Sequence, residues 1–423
     1  MKSTLISISS TILLLTAASI VSADELTPKL TPKETLGESI FFDHNLSINQ
    51  NQACAACHAP NDGWTGPNEY INEHGSVYEG SIPGRFGNRK PPSAAYATQS
   101  PIFYQDKKGE FMGGNFWDGR ATGEKLGNPA ADQAQFPFLN PVEQASPDNA
   151  CIVYRVCSAN YAVTFQDVWG AEACNIAWPA DVITECGTEG GSVALSAEDR
   201  QKVDASYDEI ALSIAAYESS AEVNAFSSKY DLSFQGKNNV QLSQEERRGR
   251  ALFNGKGKCH LCHIISGKEP LFTDYTFDNL GVPKNPENPV YAVDPGFVDL
   301  GLGGFLEKAG YSEEVYEDEL GKQKVPTLRN VDKRPSPDFV KAYSHNGYFK
   351  SLEGIVHFYN TRDVLPVCAG DYTEAQALAA NCWPAPEVAE NVNRDELGDL
   401  GLTAEEESDI VAFLRTLSDG YMP

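Results

Sequence analysis

The chain of 423 residues contains only three methionines. Met1 begins it and Met422 is its penultimate residue, so Met112 is the one internal methionine. After residue 23 no apolar run approaches the roughly 20 residues that a membrane-spanning helix needs, and we expect no span in the mature chain. Basic residues are also scarce, and the net charge of -26 argues against nucleic acid as a partner because phosphate binding needs a basic face.

The first 23 residues have the pattern of a signal peptide. Lys2 precedes an apolar run from Leu5 through Ile20, and small residues end at Ala23. We expect cleavage after Ala23 and a periplasmic location. An uncleaved membrane anchor is the alternative interpretation, although serines and threonines interrupt the run and it is short for a span.

Four of the ten cysteines lie in two Cys-x-x-Cys-His motifs, at residues 54–58 and 259–263. Two such thiols can form thioethers to one haem, and the histidine that follows places an imidazole under the iron. A single copy is also compatible with a zinc site, but two copies in one exported chain favour haem. We predict two covalently bound haem c groups, held by Cys54, Cys57 and His58 and by Cys259, Cys262 and His263.

The other six cysteines are expected to form up to three disulfides, because their number is even and the chain is exported. Their clustering favours pairing among Cys151, Cys157, Cys174 and Cys186, and pairing of Cys368 with Cys382. The connectivity within the first cluster stays open. The segment from about 150 to 191 is predicted to be an insertion stapled by these bonds.

An internal repeat indicates two domains. Residues 37–41 (Gly-Glu-Ser-Ile-Phe) precede the first haem motif, and residues 249–253 (Gly-Arg-Ala-Leu-Phe) precede the second. Amphipathic helices at 207–217 and 404–417 close the two halves.

We therefore predict a mainly α fold of two c-type cytochrome domains, with long loops, haem-centred cores and little strand. The N-terminal domain is assigned to residues 24–238 and the C-terminal domain to residues 239–423.

The scarcity of methionine bears on the second haem, since methionine is the usual second axial ligand of electron-transfer haems. The candidates after His263 are Tyr343, His345, His357 and Tyr359. In the predicted helix 351–360, Tyr359 shares one apolar face with Leu352, Ile355 and Val356, and His357 points away from it. This pattern offers Tyr359 to the iron, and an ordinary core tyrosine is the alternative.

With these features in place, the chain resembles the bacterial di-haem cytochrome c peroxidase and MauG superfamily over nearly its whole length after the signal peptide. Besides the haem motifs and the helix ending near Tyr359, the resemblance rests on Gly-Asn-Phe-Trp-Asp-Gly-Arg-Ala (114–121), Asn-Pro-Val-Glu (140–143), Val-Pro-Thr-Leu-Arg-Asn (325–330) and Tyr-Ser-His-Asn-Gly (343–347).

The resemblance implies that the first haem meets peroxide and the second stores or passes electrons. It places an inter-haem tryptophan at Trp117 and the catalytic glutamine and glutamate of the distal pocket at Gln133 and Glu143. Tyr359 stands where conventional peroxidases carry an axial methionine, as in the MauG-type branch.

Two further features are implied near positions of looser similarity. A loop histidine that caps the first haem in conventional peroxidases falls near His74, for which an exposed loop histidine is the alternative. A calcium ion between the haems falls near Asn88, Val340 and Ala342, partly through backbone carbonyls.

The expected function is oxidation of a periplasmic protein partner by hydrogen peroxide, because a hard phenolate ligand stabilises high oxidation states of the second iron. The first alternative is a conventional peroxidase that takes electrons from a small c-type cytochrome. A non-catalytic di-haem electron carrier and a docking module are the others.

Overall fold

The computed structural model describes residues 29–422, so the predicted signal peptide, residues 1–23, lies outside the described residues. The predicted mainly α fold with little strand is confirmed. None of the described helices is long and apolar enough to cross a membrane.

The helices are α1 (Pro32–Phe41), α2 (Glu69–Glu73), α3 (Pro129–Leu139), α4 (Asn149–Ser158), α5 (Ala162–Trp169), α6 (Val182–Cys186), α7 (Ala197–Glu218), α8 (Lys229–Phe234), α9 (Gln244–Phe253), α10 (Val290–Val293), α11 (Gly301–Lys308), α12 (Glu313–Glu317), α13 (Leu352–Thr361), α14 (Glu374–Ala380) and α15 (Ala404–Arg415).

The strands are two residues long and form two small antiparallel sheets. Strand β1 (Tyr104–Gln105) pairs with β2 (Phe111–Met112), and β3 (Phe277–Asp278) pairs with β4 (Gln323–Lys324). Long loops connect most of the other elements.

Each half is built on the crossing of two helices, α1 with α7 in the first half and α9 with α15 in the second. A Cβ atom on Gly37 would lie 1.9 Å from the carbonyl oxygen of Ser213, and one on Gly249 would lie 1.8 Å from that of Asp409. Such a close backbone approach requires glycine. The glycine that begins both copies of the repeat is therefore the residue that lets the two helices touch.

Helix ends in the second half follow the sequence signals. Ser243 and Glu246, which have the spacing of a capping box, form one on α9, and Thr403 and Glu406 form another on α15. Both boxes satisfy backbone N–H groups that a helix start leaves unpaired.

The six remaining cysteines form three disulfides: Cys151–Cys186, Cys157–Cys174 and Cys368–Cys382. The expected pairing within the first cluster and of the last two cysteines is confirmed. In the insertion, Arg155 of α4 donates to the carbonyls of Leu46 (2.9 Å), Ser47 (2.5 Å) and Cys186 (2.9 Å). The stapled segment therefore holds the loop that leads to the first haem motif.

The two halves have separate hydrophobic cores, and α8 belongs to the second one. Tyr230 of α8 packs against Phe272 and Phe413, although the sequence assignment placed residues up to 238 in the N-terminal domain. The first core ends at Val223, so the chain passes between the cores before α8.

A buried ion pair ties α8 to the second half. Both oxygens of Asp231 accept hydrogen bonds from the guanidinium of Arg329 (2.8 and 2.9 Å), and both side chains are fully buried. The guanidinium lies 4.4 Å from the ring centroid of Phe226 and 5.2 Å from that of Tyr96, which belongs to the first half. Arg329 therefore contacts residues of both halves.

We expect Gly249→Ala to lower the free energy of unfolding by about 1–3 kcal/mol, the usual cost of overpacking, because the obstructing atom is a backbone oxygen that cannot rotate away. The matched control is Gly370→Ala, at an exposed site where an added Cβ meets no atom within 4 Å. It should change the stability by less than about 0.5 kcal/mol. Guanidinium unfolding of both haem-loaded variants measures the difference, and equal midpoints would contradict the tight crossing.

Candidate functional site

The first haem motif forms a short 3-10 turn, Cys54–Ala56, after α1. The N–H groups of Cys57 and His58 donate to the carbonyl of Cys54 (3.1 and 3.0 Å), and all three side chains line one internal cavity. Nδ1 of His58 lies 3.2 Å from the carbonyl oxygen of Trp64, a contact that orients the ring and leaves Nε2 for a metal. Burial lowers the pKa of His58 to about 4, so the imidazole is neutral, as a ligand must be.

The second motif repeats this arrangement on the turn Cys259–Leu261. The N–H of His263 donates to the carbonyl of Cys259 (2.9 Å), and Nδ1 of His263 lies 2.8 Å from the carbonyl oxygen of Phe272. Burial again lowers the pKa of the histidine. Cys259, Cys262 and His263 line the same cavity as the first motif.

These residues fit two haems better than a zinc ion. All four motif cysteines are free thiols, whereas the other six are paired. Within residues 29–422, the only group of three potential ligands that lie within 4.8 Å of one another is Cys262, Asp278 and Glu396, which includes no histidine. The free thiols, the oriented neutral imidazoles and the shared cavity are the features of a c-type cytochrome with two haem sites.

Gln133, on α3, and Glu143, in the loop that follows it, both line the cavity. Nδ2 of Asn140 donates to Oε2 of Glu143 (3.0 Å), which fixes the carboxyl group. Burial raises the pKa of Glu143, while Arg120 and the Asn140 hydrogen bond act in the opposite direction. A carboxyl group in this setting is suited to hold and release a proton.

Trp117 lies at the cavity wall between the halves and is buried. Its Nε1 donates to the carbonyl of Lys90 in the first half (2.8 Å), and its own carbonyl accepts from the N–H of Lys324 in the second (2.7 Å). The first half therefore holds the indole of Trp117, and the second half holds its backbone.

On the second half, α13 turns its predicted apolar face to the cavity. Leu352, Ile355, Val356 and Tyr359 all line it. Burial raises the pKa of the Tyr359 phenol, and the thiols of Cys259 and Cys262 are close enough to contribute to that shift. Tyr359 thus lies beside the second haem motif.

Of the other ligand candidates, Tyr343 and His345 also line the cavity, whereas His357 does not. His357 is paired with Glu407 (3.0 Å) on the opposite side of α13. Met112 is not placed to ligate a haem, because its Sδ accepts a hydrogen bond from the hydroxyl of Tyr104 (3.2 Å) on the β1–β2 hairpin and it lies outside the cavity lining. Tyr343 lines the cavity, but its hydroxyl accepts from Arg334 (3.1 Å).

His74 and the predicted calcium residues are not brought together into a clear site. The ring of His74 is half exposed, stacks on Tyr70 and lies outside the cavity lining. The carbonyl of Asn88 accepts from Asn288 (2.8 Å) and that of Val340 accepts from Asn72 (3.1 Å).

Ala342 is buried next to Lys341, whose ammonium is itself held by the carbonyls of Asp62, Asn330 and Lys333. A calcium ion near Asn88, Val340 and Ala342 therefore stays a prediction from the family resemblance.

A polar cluster beside Trp117 went unnoticed in the sequence. Arg89 donates to both oxygens of Asp299 (2.6 Å each) and to Asp118 (2.6 Å), and His345 and Glu387 lie next to Asp299. These residues come from distant loops and share no spacing pattern. Only the motifs that contain Asp118 and His345 could have drawn attention to this region.

Comparisons with known proteins agree with a two-haem site. Residues 31–239 match the family model described as di-haem cytochrome c peroxidase. The chain is 31% identical to the methylamine utilization protein MauG of Paracoccus denitrificans, over 94% of this chain and 91% of that protein. It is 26% identical to the cytochrome-c peroxidase IdrP1 of Denitromonas iodatirespirans, over 95% of this chain and 90% of the relative.

Among solved structures, the diheme peroxidase BthA of Burkholderia thailandensis is similar with a TM-score of 0.70 and 26% identity, over 93% of this chain and 87% of that one. The chain belongs to the di-haem cytochrome c peroxidase and MauG family. It is accordingly a haem-dependent oxidoreductase.

We expect the double variant Cys259→Ser, Cys262→Ser to lose one of two covalently bound haems, because a serine hydroxyl forms no thioether. Pyridine haemochrome analysis and haem staining of a denaturing gel measure the number of haems per chain. The matched control, Cys157→Ser with Cys174→Ser, opens a disulfide of the insertion and should keep both. Two attached haems in the first variant would show that this motif does not carry one.

Proposed function

We propose that this protein uses hydrogen peroxide at the first haem, shares the oxidising equivalents with a Tyr359-ligated second haem through Trp117, and oxidises a periplasmic protein partner. When bound, each haem supplies an iron that exchanges electrons, and an iron with an open coordination position cleaves peroxide. The observation that carries the proposal is the position of Tyr359 in the cavity beside Cys259 and Cys262.

In this proposal both haems are attached through thioethers, at Cys54 and Cys57 and at Cys259 and Cys262. His58 and His263 are the proximal ligands, since their backbone contacts leave Nε2 of each ring for the metal. The neutral state of both rings agrees with this role.

The proposed role of Glu143 is to move a proton between the two oxygens of peroxide. Asn140 holds one carboxyl oxygen, and burial keeps the pKa of the group raised. A positioned acid or base with a pKa nearer to the working pH is a more effective proton carrier. Gln133, at the same wall, would orient the peroxide by hydrogen bonding.

Trp117 is proposed to relay charge between the halves. Its indole is buried and donates to the carbonyl of Lys90, while the backbone carbonyl of Trp117 accepts from the N–H of Lys324. A rigid aromatic ring between two redox sites loses little energy to reorganisation when an electron passes.

Tyr359 separates this proposal from a conventional peroxidase. Burial opposes ionisation of its phenol, so a phenolate at this position requires a positive partner, which a haem iron provides. A hard phenolate lowers the reduction potential of its iron relative to a thioether. A haem with this lowered potential accepts electrons poorly from a weakly reducing cytochrome. It readily shares oxidising equivalents with the first haem.

The acidic surface suggests the kind of protein that docks. A net charge of -26 favours association with a basic partner through long-range attraction. Export to the periplasm, as the N-terminal sequence indicates, would place enzyme and partner in the same compartment.

We expect Tyr359→Met to raise the reduction potential of the second haem and to shorten the life of the peroxide-oxidised state. Redox titration and electron paramagnetic resonance of the ferric protein before and after peroxide measure both. Tyr343→Phe, which changes another cavity tyrosine, should leave them unaltered.

Two results in the wild type would contradict the proposal. Rapid peroxide reduction by a c-type cytochrome without a long-lived oxidised state would identify a conventional peroxidase. A ferric spectrum with low-spin signals only, unchanged by cyanide, would identify a non-catalytic electron carrier.

Glu143→Gln should slow the spectral change that follows addition of peroxide by about 10²–10⁴-fold, the usual contribution of a positioned acid or base, because an amide cannot carry the proton. The haem content should not change. Stopped-flow absorbance measures the rate, and the exposed Glu124→Gln serves as the control. A rate equal to that of the control would remove Glu143 from the mechanism.

A further inference from the structure

Tyr291, on the short helix α10, joins the protein surface to the buried polar cluster beside Trp117. Its ring is half buried, and nearby Val293 and Val298 are exposed. Its hydroxyl donates to Oε1 of Glu387 at 2.6 Å, and Nζ of Lys284 lies 3.9 Å from the ring centroid. The phenolic O–H of Tyr291 is therefore already hydrogen-bonded to a carboxylate.

Glu387 leads inward from Tyr291. Its side chain is 5% exposed, and Oε2 has no hydrogen-bond partner among residues 29–422. That oxygen lies 4.0 Å from Nε2 of His345, which also lacks a partner in the described part of the chain. The separation is too long for a direct hydrogen bond and suits one bridging water.

His345 completes the connection to the inter-haem tryptophan. Its ring centroid lies 6.5 Å from that of Trp117. Its carbonyl accepts from the N–H of Lys90 (2.8 Å), and the carbonyl of Lys90 accepts from Nε1 of Trp117 (2.8 Å). Side chains and backbone thus link the two rings.

The neighbouring carboxylates are not available to Tyr291. Both oxygens of Asp299 accept from Arg89, which also holds Asp118. Glu387 has no such cation bonded to it, and burial raises its pKa, which makes it the better proton acceptor of the cluster.

We propose that Tyr291 is the surface residue from which oxidising equivalents leave the protein, giving an electron to oxidised Trp117 while its phenolic proton passes to Glu387. The O–H bond of Tyr291 breaks, the proton bonds to Oε1 of Glu387, and one electron restores Trp117. The neutral phenoxyl radical then takes an electron from the protein partner and recovers the proton from Glu387. Two such one-electron transfers supply the two electrons that reduce one molecule of hydrogen peroxide.

This inference rests on the proposed function, which supplies the oxidant, and it distinguishes Tyr291 from other tyrosines with similar hydrogen bonds. Tyr161 donates to Asp43 at 2.6 Å but lies in the disulfide-stapled insertion. Tyr96 donates to Asp419 at 2.7 Å but is 3% exposed, too little to reach a partner protein.

The test uses the full-length haem-loaded protein with ring-deuterated tyrosine, mixed with peroxide without a partner and frozen for electron paramagnetic resonance. The wild type should show a tyrosyl signal that deuteration narrows. Tyr291→Phe should lose this signal and prolong the peroxide-oxidised state of the haems. Tyr161→Phe, the matched control, should retain the signal.

Two further measurements keep the proposal testable if Tyr291→Phe does not fold. Glu387→Gln keeps the phenol but removes the proton acceptor, and the tyrosyl signal should disappear. In the wild type, a nitroso spin trap should mark the peptide that contains Tyr291, as mass spectrometry would show.

The outcomes separate this inference from the proposed function. A haem-based oxidised state that forms normally, with a tyrosyl signal unchanged in Tyr291→Phe or with no tyrosyl signal in the wild type, would overturn the role of Tyr291 alone. Failure of peroxide to produce any oxidised state in the wild type would overturn the proposed function and this inference with it.

Discussion

The Arg329–Asp231 ion pair fixes how the two halves of the molecule meet. Charges that are fully buried are costly unless every group is matched, and here the guanidinium bonds both carboxylate oxygens and the carbonyl of Pro270. The same guanidinium packs on Tyr96 and Phe226 of the preceding half. Because these contacts demand one geometry, the two haem motifs are held at a fixed separation around a shared cavity.

Between the two haem motifs, buried polar and charged residues take the place of apolar contacts. Arg89 neutralises Asp118 and Asp299, while Lys90 and Lys341 are buried against neutral oxygens. The ammonium of Lys90 bonds Thr65 and Pro91 in its own half, and that of Lys341 bonds carbonyls of both halves. This network leaves the halves little freedom to slide past one another, which agrees with the proposed relay through Trp117.

Local patterns predicted most of what depends on neighbours in sequence. The cap at Ser243 and the apolar face ending at Tyr359 both act within one or two helical turns. The pairing of Cys151 with Cys186 rather than with Cys157 or Cys174 depends on how three helices fold together, so spacing could not decide it. The cluster of His345, Glu387 and Tyr291 depends on loops that meet only in the folded chain.

The disulfides also bear on biogenesis. The bridges close over 35, 17 and 14 residues, each lies within one half, and none encloses a haem motif. In an oxidising compartment the thiols reserved for haem must avoid capture by other cysteines until the cofactor is delivered. Cysteines that are close in the chain pair with one another quickly. Disulfide formation and haem attachment can therefore proceed side by side on one polypeptide.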